Sequence, residues 1–114
     1  MKVLIVGSRS IQNFDLSHYV PPDTSLVISG GAKGVDTIAE IYADTHHLSK
    51  LIVRPRYDLY GKIAPLKRNK IMVDIADAVI VVWDGVSRGT NYTLKYAENK
   101  NKPITLIRVG HTPA

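Results

Sequence analysis

The sequence predicts a single-domain α/β protein, a Rossmann-like three-layer sandwich built on a mostly parallel sheet of about five strands. Five short apolar runs, rich in β-branched residues, recur along the 114 residues. Segments with the spacing of amphipathic helices lie between most of these runs. Alternation of strands and helices is typical of a parallel sheet with right-handed crossovers, and we expect one domain over residues 1–114.

The five apolar runs are the predicted strands. Their apolar residues are nearly continuous rather than alternating, which is typical of strands buried on both faces of a sheet. The runs lie at Val3–Val6, Leu26–Ile28, Leu51–Val53, Ala78–Trp83 and Ile104–Ile107.

Three segments between the strands predict helices. Two of these helices are expected from about residue 66 to 76 and from about 91 to 99, where NKNKP ends the latter. The first connection, DLSHYVPPD, allows only a short helix before two prolines stop it. The first long helix is expected where the spacing is i, i+3, i+4, i+7, i+8, at Val35, Ile38, Ala39, Tyr42 and Ala43.

The composition narrows the classes of function. There is no cysteine, which excludes disulfides and thiolate chemistry and favours a cytoplasmic protein. No apolar run is long enough to span a membrane, and the four histidines show no metal-ligand spacing, so we expect neither a metal nor a cofactor. The net charge of +5 instead suggests an anionic partner, either nucleic acid or a phosphorylated small molecule.

Most basic residues follow the predicted strands at their carboxyl ends. Ligands of open α/β sheets bind beyond this edge, where the loops converge. The opposite rim has few evident cations, so the placement of the charge predicts a ligand site better than the total does. The cations on the ligand side are Arg9, Lys33, Arg54, Arg56, Lys62, Lys67, Arg68 and Arg88.

The loop SGGAKGVD is predicted to be a phosphate-binding turn between a strand and a helix. Gly30 and Gly31 can take positive φ and let a ligand approach the backbone, while Gly34 allows a tight start to the helix. Unpaired N–H groups at the helix N-terminus, together with Lys33, would bind an anion. The spacing matches neither G-x-G-x-x-G nor a Walker A loop, so a plain tight turn is the alternative.

The loop GSRS gives the first strand a similar turn. Gly7 frees the backbone, and Ser8, Arg9 and Ser10 offer donors suited to phosphate or ribose. A solvated turn without a ligand is the alternative.

The loop DGVSRGT is the third turn of this kind. Gly85 and Gly89 bracket Arg88, and Thr90 is expected to cap the last long helix while offering its hydroxyl to an anion. These donors are predicted to lie beside those of GSRS.

Two carboxylates near these loops have alternative roles. For Asp36 we favour stabilisation of the first helical turn, because a carboxylate would repel phosphate. Asp84 follows a strand, where a carboxylate can bind ribose hydroxyls. Equally, Asp84 can accept hydrogen bonds from its own turn.

Asn69 falls on the stripe of the second helix that faces the sheet, directly after Arg68. An amide there needs partners, because burying it unpaired costs about 1–3 kcal/mol. It either holds a neighbouring loop or touches the ligand, and both make it a site residue. Among the aromatic residues, Tyr60 is a better candidate than Tyr57 to stack on a base, and Trp83 is expected in the core.

Four segments follow one another over nearly the whole chain: VGSRS, SGGAKGVDTIAE, YGKIAPLKRNKIMVDIADAVIVVWDG and SRGTNYTLKYAENKNKPI. Together they resemble the YspA-like (DUF2493) proteins of the SLOG superfamily, which also includes the DNA-processing protein DprA and the LOG phosphoribohydrolases. Small stand-alone members of this group occur in bacteria and their phages. The resemblance implies a Rossmann-like SLOG domain that binds nucleotides or nucleotide-derived signals, and related members often form homo-oligomers.

The resemblance does not extend to LOG catalysis. LOG enzymes carry Pro-Gly-Gly-x-Gly-Thr-x-x-Glu, and their Glu acts when the base is cleaved from ribose phosphate. This chain keeps Gly89 and Thr90 but has Thr93 at the Glu position. A hydroxyl cannot replace a carboxylate as a general base, so we assign no catalytic residue.

The function predicted is recognition of a phosphorylated nucleotide-like small molecule, for sensing or sequestering. The second loop is expected to hold one phosphate and the other two loops the far end of the ligand. Binding of single-stranded nucleic acid, as in DprA, is the alternative, followed by a nucleotide-processing hydrolase. No membrane partner is expected.

Overall fold

The computed structural model describes residues 1–110, which form a five-stranded parallel sheet with helices on both faces. Every neighbouring pair of strands is parallel, in the order β3-β2-β1-β4-β5. The predicted Rossmann-like α/β fold is therefore confirmed, with all strands parallel. The strands are β1 (Lys2–Gly7), β2 (Leu26–Ser29), β3 (Ser49–Ile52), β4 (Ala78–Trp83) and β5 (Ile104–Arg108).

The three long helices predicted from the sequence are confirmed as α1 (Val35–Thr45), α3 (Ala64–Ile75) and α4 (Arg88–Asn99). A short helix, α2 (Tyr57–Tyr60), and a 3-10 turn at Gly61–Ile63 precede α3. No helix within residues 1–110 is both long enough and apolar enough to cross a bilayer.

The first connection allows at most a short helix by its sequence, and in the structure Leu16 and its neighbours form only hydrogen-bonded turns. One helix boundary differs clearly from the prediction. The last helix begins at Arg88 rather than near residue 91, because the cap is Ser87, whose hydroxyl accepts from the Thr90 N–H at 3.4 Å. Thr90, the predicted cap, therefore lies inside the helix.

The core has two halves, one on each face of the sheet. The side chains of α1 pack with Val3, Ile5 and Val27 on one face, and those of α3 and α4 pack with Leu4 and Ile28 on the other. Successive residues of the central strands therefore point into alternate halves of the core. This explains why the sequences of these strands are apolar without interruption.

The two edge strands do not match the prediction of burial on both faces. Leu51 in β3 is 39% exposed and Leu106 in β5 is 48% exposed, whereas the central residues of β1 and β4 are buried. An apolar run indicates a strand but does not say whether that strand lies at the edge of the sheet. The order of the strands decides how much of each is covered.

Candidate functional site

A cleft of about 810 Å³ opens at the carboxyl edge of the sheet, among the loops that follow β1 to β4. Its volume lies within the range of small-molecule sites, and its position is where this class of fold binds ligands. Most of the predicted site residues meet there. Those that line the cleft are Gly7, Arg9, Gly30, Gly31, Arg68, Asn69, Asp84, Arg88, Gly89 and Thr90.

Four predicted site residues do not line the cleft: Ser8, Lys33, Gly34 and Gly85. Ser8 is fully buried, and its hydroxyl accepts the N–H of Asp84 at 3.0 Å. Lys33 is exposed to solvent. Gly34 and Gly85 adopt positive φ, 78° and 87°, and so serve the shape of their turns.

Several of the N–H groups in the glycine turn before α1 already donate hydrogen bonds to atoms of the protein. The N–H of Gly31 donates to Ser29 Oγ at 3.3 Å, and the N–H of Ala32 donates to Asp36 Oδ2 at 3.1 Å. The first N–H of the helix, at Val35, donates to the carbonyl of Ser8 at 3.4 Å. This turn therefore has fewer free donors for an anion than the sequence predicts.

Asp36 is buried at the start of α1 and faces the cleft. Burial raises the pKa of its carboxyl, and the N–H of Ala32 and the charge of Arg68 only partly oppose this. Its hydrogen bond to the preceding turn agrees with the structural role favoured from the sequence.

Gly30 is required for a different reason from the one predicted. Its φ is not positive, unlike that of Gly31 at 73°. A Cβ on Gly30 would lie 2.6 Å from Arg68 Nη1 and 2.9 Å from Asp36 Oδ2. The absence of a side chain leaves room for the arginine and the carboxylate to lie close to the backbone at the place that a Cβ would occupy.

Arg68 joins the carboxyl ends of β2 and β3. Its Nη1 donates to the carbonyls of Gly30 at 2.6 Å and Val53 at 3.3 Å, and its Nε donates to Asn69 Oδ1 at 2.7 Å. Asn69 thus has the partner that the sequence argument required. Burial lowers the pKa of Arg68, and Asp36 and Tyr57 oppose that shift. The guanidinium stays charged and is fixed in the floor of the cleft.

Asp84 joins the loops that follow β1 and β4. Its Oδ1 accepts the N–H groups of Val86 at 2.9 Å and Ser87 at 2.8 Å, and its Oδ2 accepts the hydroxyl of Ser10 at 2.8 Å. The hydrogen bonds, led by that from Val86, lower the pKa of Asp84 to about 2. The sequence left two roles open for Asp84, binding of ribose hydroxyls or acceptance of hydrogen bonds from its own turn. The structure shows the second of these.

Replacing Asp84 by Ala is expected to destabilise the protein by about 1–2 kcal/mol at pH 7, because three hydrogen bonds to a carboxylate are lost. The pKa in the folded state is lower than the ordinary 3.8. The stabilisation is therefore fully present above about pH 4 and is lost as the pH falls towards 2. Urea unfolding at pH 7 and at about pH 3, the middle of this window, should show the difference shrinking. Asp84→Asn is the control, because its amide oxygen keeps part of the bonding without a charge. An equal Asp84→Ala deficit at both pH values would contradict the assignment.

The N-terminus of α4 presents the most open donors of the cleft. Arg88 and Gly89 are exposed, and a Cβ on Gly89 would meet nothing within 4 Å. Thr90 is buried, and its hydroxyl lies 3.0 Å from that of Ser87. Arg9 lines the same cleft from the loop after β1. An anion at this end would meet the positive end of the helix dipole and the guanidinium of Arg88.

Thr93, which the resemblance aligns with the LOG glutamate, does not line the cleft. Its side chain is fully buried, and its hydroxyl donates to the carbonyl of Gly89 at 3.0 Å. The two carboxylates that line the cleft, Asp36 and Asp84, are both hydrogen-bonded to backbone N–H groups. Within residues 1–110 no group of three or more His, Asp and Glu side chains is placed to hold a metal ion.

The residues that follow β3 also line the cleft, namely Arg54, Pro55 and Tyr57, and Ser10 lines it from the loop after β1. The sequence places Arg54 and Ser10 on the ligand side, because both follow strands at their carboxyl ends. Pro55 is not singled out by the sequence argument. The remaining lining residues are Val6, Ala32, Asp36, Pro65, Leu66, Met72 and Ser87.

The aromatic residues are distributed differently from the prediction. Tyr60, the preferred stacking candidate, does not line the cleft, and the Nζ of Lys67 lies 5.8 Å from the centre of its ring. Tyr57 lines the cleft instead. Trp83 packs partly buried against the core, as expected, and its Nε1 donates to the carbonyl of Ser87 at 3.0 Å.

No family model, no curated protein and no solved structure matches this chain. What the chain shares with known proteins is the generic α/β architecture, a five-stranded parallel sheet of the Rossmann-like type.

Proposed function

We propose that the protein binds a nucleotide or a nucleotide-derived signal in this cleft and senses or sequesters it. The observation that carries the proposal is the convergence of Arg9, Arg54, Arg68 and Arg88, from separate parts of the chain, on one cleft at the carboxyl edge of the sheet. Guanidinium groups suit phosphate, because their donors match two phosphate oxygens at once. The volume of the cleft suits a ligand of nucleotide size.

The sequence motifs support the same proposal, and membership of the YspA-like group of the SLOG superfamily is part of it. The Gly-Ser-Arg, glycine-turn and Arg-Gly-Thr segments that carry the resemblance all contribute lining residues. The resemblance implies ligands derived from nucleotides. We place the phosphate at the α4 end rather than at the glycine turn, because the N–H groups of Gly31 and Ala32 already have partners.

Binding without turnover is the form of the function that we propose. The LOG position is held by Thr93, which is buried and bonded to Gly89. A second candidate is binding of single-stranded nucleic acid. Tyr60, 41% exposed, and Lys67 favour it, because they extend a basic and aromatic surface outside the cleft.

A binding panel tests the proposal. We expect a nucleoside monophosphate or ADP-ribose to stabilise the protein against unfolding by about 2.7 kcal/mol at a hundredfold excess over the dissociation constant. Calorimetric titration and thermal unfolding would measure this, with inorganic phosphate and unphosphorylated nucleosides as controls. Oligonucleotides that bind with steep dependence on salt and length, while mononucleotides do not bind, would favour the second candidate. Release of free base would contradict binding without turnover.

A further inference from the structure

Tyr57 lies at the β3 end of the cleft. It begins α2, shortly after Arg54 and Pro55, and its side chain lines the cleft while 60% of its surface is exposed. A tyrosine ring offers a large flat apolar surface that gains free energy when it is covered. Because this surface faces a cleft, it indicates a flat ligand group more than a partner protein.

Hydrogen bonds fix the short helix that carries Tyr57. Arg56 donates to both carboxylate oxygens of Asp58, at 3.0 and 2.8 Å. The N–H groups of Leu59 and Tyr60 both donate to the carbonyl of Arg56 at 3.0 Å. The ring is therefore presented by a preformed turn, which reduces the ordering cost when a ligand binds.

The two ends of the cleft differ in chemistry. Pro55 and Tyr57 give the β3 end apolar surface beside Arg54, and Arg88 and Gly89 give the β4 end an exposed helix N-terminus with an open cationic donor. The strand order places β2 and β1 between β3 and β4. Three strand spacings separate the ends by about 14 Å. A nucleotide has the same division, with a flat base at one end and an anionic phosphate at the other.

We propose that Tyr57 is the stacking platform for the base of the ligand, so that the cleft selects phosphates that carry an aromatic base over sugar phosphates without one. This inference rests on the proposed function and deepens it. The phosphate lies at the N-terminus of α4, and the base lies on the ring of Tyr57. Arg68 stays in the floor of the cleft, where the carbonyls of Gly30 and Val53 hold its Nη1.

The test compares three variants by calorimetric titration with AMP, GMP, CMP, UMP, ADP-ribose and ribose 5-phosphate. Tyr57→Leu removes the ring, Tyr57→Phe keeps it, and Tyr60→Leu is the matched control from the same short helix outside the cleft. We expect Tyr57→Leu to weaken binding of base-containing probes by about 5- to 150-fold. Tyr57→Phe and Tyr60→Leu should stay within about threefold of the wild type, and ribose 5-phosphate should bind all four proteins alike. Leu is a good helix former at this exposed position, and thermal unfolding verifies that each variant is folded.

Three other outcomes would each contradict either the stacking inference or the proposed function. If the wild type binds a nucleotide and Tyr57→Leu binds it equally well, the stacking inference is wrong while the proposed function stands. If Tyr57→Leu weakens ribose 5-phosphate as much as AMP, the residue shapes the cleft and does not select the base. If the wild type binds none of the six probes, the proposed function fails and the inference fails with it.

Discussion

Gly7→Ala is expected to destabilise the folded protein by about 3 kcal/mol, because the new methyl group has no space. A Cβ at this position would meet the carbonyl oxygen of Val82 and would lie 2.6 Å from Val35 Cγ2. Neither neighbour can move freely. The Val82 carbonyl accepts the N–H of Ser8 at 3.1 Å, and the side chain of Val35 is fully buried at the start of α1. Relief would require β1, β4 and α1 to separate.

Urea unfolding of purified protein measures this effect, and Gly89→Ala is the matched control. Gly89 lies in the first turn of α4, and a Cβ there would meet nothing within 4 Å. The same substitution should therefore stabilise the protein, by up to about 1 kcal/mol, because alanine favours the helix over glycine. Gly7→Ala with a free energy of unfolding equal to that of the wild type would refute the close packing of these elements.

The central part of the fold could be predicted because its signal is local. Val3–Val6 and Ala78–Trp83 are apolar without interruption, and this alone indicates strands covered on both sides. The spacing of apolar residues in α1 indicated its buried face in the same way. The alternation of strands and helices predicts a parallel sheet. A parallel sheet in turn predicts that the cleft lies at the carboxyl edge of the strands.

The remaining features depend on tertiary neighbours that local sequence does not specify. Leu51 is as apolar as the residues of β1, and it is exposed only because β3 lies at the edge of the sheet. The glycine turn has the composition of an anion site, but Asp36 bonds to Ala32 and the carbonyl of Ser8 meets Val35. Which of Tyr57 and Tyr60 faces the cleft is decided by the orientation of a four-residue helix. Such an orientation follows from packing, and no periodicity can be read from so short an element.

The charged residues of the cleft fall into two groups, those held by hydrogen bonds within the protein and those open to a ligand. Arg68 is held by the carbonyls of Gly30 and Val53 and so belongs to the floor. Asp84 is bonded to its own turn and to Ser10. Arg88 is exposed at the first turn of α4 and lines the cleft. Of these charged groups, Arg88 is the one whose substitution should change binding without changing the fold.

Arg88→Glu is expected to weaken binding of a nucleoside monophosphate by about 100-fold or more. It removes a charge-assisted hydrogen bond and adds repulsion between the new carboxylate and the phosphate. The same substitution should slightly stabilise the fold, because a carboxylate in the first turn of a helix is favoured by the helix dipole, by about 0.3–1 kcal/mol. Binding and stability should therefore change in opposite directions. Calorimetric titration and urea unfolding of the same preparation would measure both.

Lys33→Glu is the matched control, since it changes the net charge by the same amount at an exposed position outside the cleft. If the phosphate lies at the α4 end, this variant should bind within about threefold of the wild type at 0.15 M salt, because solvent and ions screen a charge that is exposed outside the cleft. Equal weakening by both variants would mean that binding follows the overall field of a basic protein. A larger loss with Lys33→Glu than with Arg88→Glu would place the phosphate at the glycine turn, even though the N–H groups of Gly31 and Ala32 already have partners.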